Sequence, residues 1–183
     1  VNGIGKESGH FKIISVTNSK KQPILDGLDI HMDNLEILKV SDYVAFRRKQ
    51  IADDPIENRI KFKSPLSIKY RGEKLEEFIP KAIIESACRR LYMLDCFEGI
   101  ESNVHDLEYI NSIAVPEVIS EYHKEIAFRR YSNHKERLMY LKGIEGELVV
   151  DSISDELLDI LLAGELIHIG KNTSFGFGRY RIS

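Results

Sequence analysis

Residues 157–183 read LLDILLAGELIHIGKNTSFGFGRYRIS: an apolar run, then a glycine-rich run, then a short basic tail. Leu157, Leu158, Leu161, Leu162 and Leu166 recur at helical spacing, and Ser154 stands where a side-chain oxygen can accept from the first amides of a helix. Asp155 and Glu156 follow at the positive end of the helix dipole. The expected order is helix, loop, strand. Gly170 is placed to end the helix as a left-handed residue, and Gly176 and Gly178 bracket Phe177 within the expected last strand.

Between these glycines lie Lys171, Asn172, Thr173 and Ser174, donors without a carboxylate, and Arg179 and Arg181 follow. Glycines that let backbone amides approach a ligand, beside cations, suit an anion, of which phosphate is the obvious one. A helix cap and a strand bulge with no ligand would use the same glycines. The dinucleotide fingerprint and the triphosphate P-loop are argued against, because each follows a strand and opens a helix.

Working back along the chain, residues 115–132 and 138–150 carry apolar and aromatic side chains around a polar Ser132–Glu136, the pattern of a hairpin. Arg59 to Tyr70 alternates as a strand broken at Pro65. A helix follows from about Glu76 to Phe97, with Pro80 in its first turn and Ile79, Ile83, Ala87, Leu91 and Leu94 along one face. With the terminal helix and strand this gives β-α-β-β-α-β, an α+β, ferredoxin-like fold. Ser41 to Ile51 reads as a further helix stopped by Asp53-Asp54-Pro55. Residues 17–40 read as turns with one extended piece near Leu35–Leu38, and residues 3–16 as a glycine-rich turn leading into a strand.

The chain has 183 residues, 43% of them hydrophobic, enough for one domain or one domain with an appended piece. No apolar run approaches the ~20 residues needed to span a bilayer and no signal peptide is present, so the cytoplasm is expected. Cys88 and Cys96 lie too far apart along one helix to bridge and read as buried thiols. The histidines are dispersed, so no metal or other cofactor is expected. Net charge is −3, yet it is unevenly spread. Residues 123–142 hold Lys124, Arg129, Arg130, Lys135, Arg137 and Lys142 against only Glu125 and Glu136, and residues 168–183 hold cations alone. Arginines, amide donors and a tyrosine within 129–135 suit RNA, which is held through phosphates, 2′-hydroxyls and stacking. A solvated turn is the plain alternative.

HIGKNTSFGFGRYRI (168–182) resembles the C-terminal glycine-rich signature of the RAMP superfamily, specifically the CRISPR-associated endoribonucleases that cut precursor CRISPR RNA. RYSNHKERLMYLKGIEGELVV (130–150) resembles the RYSN-type segment of the same family. The resemblance implies two ferredoxin-like halves, with residues 1–56 a remnant and connecting segment of the first and residues 57–183 the second. Val1 is not an initiator methionine, in keeping with a longer parent. It also implies metal-independent cleavage through the ribose 2′-hydroxyl, leaving a 2′,3′-cyclic phosphate. The partner would be CRISPR repeat RNA, as stem-loop or single strand, with effector-complex proteins and neither DNA nor membrane.

On this resemblance the RNA-binding residues are Arg129, Arg130, Tyr131, Ser132, Asn133, Lys135 and Arg137 on the hairpin. From the tail come Gly170, Lys171, Asn172, Thr173, Ser174, Gly176, Gly178 and Arg179. Arg129 and Arg130 point to opposite faces of a regular strand, so one of them should meet RNA. His168 stands where the family motif carries histidine, and His134 stands in the hairpin tip where a larger base such as arginine is usual. These two are the candidate catalytic residues. The family's usual catalytic histidine belongs to the first half, so this chain could bind RNA and cut nothing. The alternatives are a non-catalytic RAMP scaffold and a ferredoxin-like protein-interaction domain.

Overall fold

The computed structural model describes residues 12–18, 21–36, 39–54, 56–104, 106–132 and 137–183. They divide into two compact units, one ending at Lys39 and one running from Val40 to Ser183. In the first, β1 (Ser15–Thr17), β2 (Pro23–Asp26) and β3 (Asp29–Ile30) form an antiparallel meander. Asn18 fastens the first turn, its carbonyl oxygen accepting from the Gln22 N–H at 2.9 Å and its amide nitrogen donating to the Asn34 carbonyl at 3.0 Å. Sequence patterning places turns here and one extended piece near 35–38; the strands lie earlier and are too short to show alternation. Residues 37 and 38, like residues 1–11, lie outside the described residues.

The second unit begins with α1 (Val40–Asp53), followed by β4 (Arg59–Phe62), the small hairpin β5 (Lys69–Tyr70) and β6 (Glu73–Lys74), and α2 (Pro80–Glu98). Then come α3 (Leu107–Ser112), β7 (Val118–Ser132), β8 (Arg137–Val150), α4 (Asp155–Ile167) and β9 (Tyr180–Ile182). The sheet order is β7-β8-β4-β9 with every neighbouring pair antiparallel. Taken as β4, α2, β7, β8, α4 and β9, this is the ferredoxin-like arrangement. The unit starts at Val40, and α1 is tied to α4. Arg47 of α1 is buried and donates through Nε to Glu165 at 2.9 Å.

Period-two alternation puts Ile60, Phe62, Leu148, Tyr180 and Ile182 on one face, packed with Ala82, Ile83 and Ala87 of α2 and Leu157, Leu161 and Leu162 of α4. Each large apolar side chain so buried contributes about 1.5–3 kcal/mol. Tyr180 brings a hydroxyl into this core and satisfies it by donating to the Leu161 carbonyl at 2.5 Å. The opposite face holds ion pairs instead, Lys61–Glu147 at 3.0 Å and Lys124–Glu145 at 3.2 Å.

Ser154 caps α4 as its position predicts, accepting from the Leu157 N–H at 3.3 Å. Three expectations need correction. First, α2 starts at Pro80, leaving Glu76 and Glu77 outside, because a proline ring suits the first helical position and none further in. Second, Cys88 is buried but Cys96 is exposed, since the end of α2 runs past the core and Phe97 is exposed beside it. Third, Gly176 and Gly178 stand in turns before β9, at φ 81° and 74°, and not in a bulge within the strand.

Candidate nucleic-acid interface

The turn between α4 and β9 is built on the chain that follows β4. After Phe62 the backbone bends at Ser64-Pro65 and rejoins β8, Leu66 and Ile144 exchanging N–H···O bonds of 2.7 and 2.9 Å. The glycine-rich loop docks along this bend. The Lys171 N–H donates to the Ser67 carbonyl (2.7 Å), the Gly178 N–H to the Pro65 carbonyl (2.9 Å) and the Arg179 N–H to Ser64 Oγ (2.9 Å), while Lys63 donates to the Arg179 carbonyl (2.8 Å). Within the loop the Ile169 N–H reaches the Gly178 carbonyl at 3.1 Å, and Gly176 donates to the Thr173 carbonyl at 2.9 Å. Gly178 is left-handed, and a Cβ there would overlap the Ile169 carbonyl. At Gly170, φ is 85° and a Cβ would lie 2.7 Å from the Ser67 oxygen. Both glycines thus serve close approach of backbone to backbone. The amides of Gly176 and Gly178 are spent inside the protein, and the loop presents side chains outward.

Those side chains meet the hairpin. The Arg130 guanidinium sits 4.3 Å from the centroid of the Phe175 ring, a cation–π contact, and Phe128 meets Phe177 edge-on at 6.0 Å. Phe128 and Arg130 are two apart on β7 and so share a face, whereas Arg129 and Tyr131 belong to the other. Phe177 is 3% exposed and anchors the loop, while Phe175 is 48% exposed and presents its ring. Arg129, Arg130, Lys171 and Arg179 are exposed, and among the described residues none has an ion pair. Asn133, His134 and Lys135 lie outside the described residues, and of Ser132 and Arg137 only the backbone pairing is described.

His168 occupies a strained position. It closes α4 at φ 58° and ψ 153°, a region that glycine alone enters freely, at a cost of about 1–3 kcal/mol for other residues. The sequence places the left-handed stop at Gly170, so this feature was not legible in it. Partial burial first, then the positive charges of Arg179 and Arg90, push the His168 imidazole below the ordinary histidine pKa. It is neutral at pH 7 and therefore a proton acceptor. It opens on a cleft of about 500 Å³ shared with Lys63, Arg179, Arg181 and Tyr43. Among the described residues, no group of three or more His, Cys, Asp and Glu side chains is placed to hold a metal ion.

The family described as CRISPR-associated endoribonuclease Cas6 matches residues 60–180. The chain belongs to this family. Among solved structures it is similar to a partial Cas6-RT-Cas1–Cas2 complex, at 13% identity and a TM-score of 0.56, over 86% of this chain and 28% of that one. A Cas6-RT-Cas1–Cas2 complex aligns at the same identity and TM-score over 86% of this chain and 18% of that one. A Cas6 product complex aligns at 19% identity and a TM-score of 0.48, covering 74% of this chain and 55% of that one. The chain therefore spans less than a third of the first two Cas6-containing chains. No curated protein sequence matches it.

The Cas6-family span of 60–180 contains the hairpin, the glycine-rich loop and His168, and leaves out Tyr43 and Arg181 of the His168 cleft. It also contains Arg89 and Arg90 of α2, which sequence reasoning passed over. Two arginines in the middle of an amphipathic helix read as its solvated face, and only the fold brings them beside Gly170 and Lys171.

Proposed function

We propose that this chain is the RNA-binding C-terminal half of a CRISPR precursor-RNA processing endoribonuclease, and that CRISPR repeat RNA lies across the glycine-rich loop and the adjoining side of the β7–β8 hairpin. The observation that supports this reading is the meeting of Arg130 with Phe175, which joins the hairpin to the loop that carries Lys171 and Arg179, three cations with no ion pair among the described residues. Lys171, Arg179 and Lys63 hold phosphates as point or forked charges. The Phe175 ring, already covered on one side by a guanidinium, offers its exposed area to a base. Tyr131, exposed on the other face of β7, extends the stacking surface towards the hairpin tip.

Cleavage needs no metal in this scheme. A neutral imidazole takes the proton from the ribose 2′-hydroxyl, the 2′-oxygen attacks the adjacent phosphorus, and the P–O5′ bond breaks. A 2′,3′-cyclic phosphate remains, and the departing 5′-oxygen takes a proton from an acid. His168 has the charge state of the acceptor, and Arg179 beside it stabilises the crowded phosphorane. The acid is supplied from a preceding ferredoxin-like half of the full protein.

The test incubates end-labelled CRISPR-repeat RNAs in EDTA with this chain and with a longer protein carrying the preceding half. Binding by this chain that weakens steeply with salt, with cleavage to a cyclic phosphate by the longer protein, is the expected result. Failure of this chain to bind any repeat RNA overturns the reading.

A further inference from the structure

A second cavity lies beside the start of the glycine-rich loop, walled by α2, β5 and residues 170–171, with a volume of about 260 Å³. Arg89, Arg90 and Lys171 contribute cationic groups to its wall, Glu85 a carboxylate, and Ile68 and Met93 an apolar side. Among the described residues, Arg90 Nε is the one buried side-chain nitrogen or oxygen without a hydrogen-bond partner. A desolvated guanidinium nitrogen lacking an acceptor is destabilising, and an acceptor atom of a bound ligand would satisfy it. Phosphate is the acceptor that two guanidiniums and an ammonium suit best. A carboxylate beside them is unfavourable for a bare phosphate, but it accepts well from vicinal hydroxyls, as in ribose recognition. The volume falls just under the ~300 Å³ at which small-molecule pockets begin, so one nucleotide fits and a stem does not.

We propose that this cavity binds one ribonucleotide, its phosphate on Arg89, Arg90 and Lys171, its ribose hydroxyls on Glu85 and its base against Ile68 and Met93. Two sources present this chemistry: a mononucleotide in solution, and one unpaired nucleotide of a strand crossing the loop. The second rests on the RNA reading above; the first does not.

Isothermal titration with adenosine 5′-monophosphate, 2′-deoxyadenosine 5′-monophosphate and inorganic phosphate tests the site directly. The ribonucleotide should bind tightest, the deoxy compound more weakly because a hydroxyl opposite Glu85 is gone, and phosphate weakest. Arg90→Met keeps the length of the side chain and removes the orphaned nitrogen. It should weaken the ribonucleotide about tenfold or more while melting no lower than the parent. Arg89→Ala, at an exposed helix position, repeats the binding test without touching the interior. No binding of the ribonucleotide, or equal binding by both variants, overturns the site. Competition by a single-stranded repeat RNA assigns the nucleotide to a bound strand, and its absence assigns a free one. If the ribonucleotide binds while no RNA does, the cavity stands and the RNA surface falls; RNA binding without mononucleotide binding gives the reverse.

Discussion

Two sets of cations in the second unit live differently. In one set Arg47, Arg48 and Arg181 meet Glu165, Asp155 and Asp159, and the buried Glu165 carboxylate also accepts from the Tyr43 hydroxyl at 2.8 Å and the Ile182 N–H at 2.6 Å. In the other set Arg130 lies on an aromatic ring, and Arg90, Lys171 and Arg179 have no ion pair among the described residues. The first set holds α1, α4 and β9 together. The second forms no ion pair among the described residues, which suits a polyanion.

The largest effect that could break this contrast is on stability. Glu165→Ala leaves Arg47 buried without its carboxylate and should cost about 3–5 kcal/mol in urea unfolding at pH 7. A loss below about 1 kcal/mol would mean that the two sets do not differ in kind. Next in size is Arg130→Ala, which removes a cation from the RNA surface and bares one side of Phe175. RNA affinity should fall by about 1–2 kcal/mol in a filter-binding titration. Lys171→Ala and Arg179→Ala should each lower the slope of log affinity against log salt by about 0.7–0.9. Both should leave unfolding within about 0.5 kcal/mol of the parent, the reverse of Glu165→Ala.

The smallest effect sharpens the role of His168. The folded imidazole titrates below its unfolded value, so the unfolded chain binds the proton first as pH falls. That contribution to stability is present above about pH 6.5 and is lost as pH drops through the lower folded value. His168→Gly removes this term and relaxes the backbone at φ 58°, so the difference in stability between variant and parent should grow in the variant's favour from pH 7 to pH 5. A pH-independent difference in thermal melts would contradict the assignment.

Much of the fold could be read directly from the chain. The leucines of α4, the Ser154 cap and the long polar-tipped hairpin each carry a local signal strong enough to survive in three dimensions, and together they specify the β-α-β-β-α-β order. The site was readable only in part. The glycine-rich loop is where the motif puts it, but two of its glycines serve close packing, Gly178 against Ile169 within the loop and Gly170 against Ser67, a long-range contact that no local window contains. The strain at His168 arises because α4 stops early and Ile169 must bury, again a tertiary demand. Arg90 was hidden for the opposite reason: a cation in the middle of a helix looks solvated until the loop from the far end of the chain covers it. Cys96 and the β1–β3 meander escaped because helix ends and strands of two to four residues leave no periodic trace.

The central claim is that the loop and the hairpin are one RNA-binding surface, and cross-linking reaches it most directly. A repeat RNA carrying a photoreactive uridine should label peptides from 126–132 and from 171–179 on the same protein molecules, and Arg130→Ala should lower both yields together. Labelling confined to one of the two peptides, or two yields that respond independently, would contradict it.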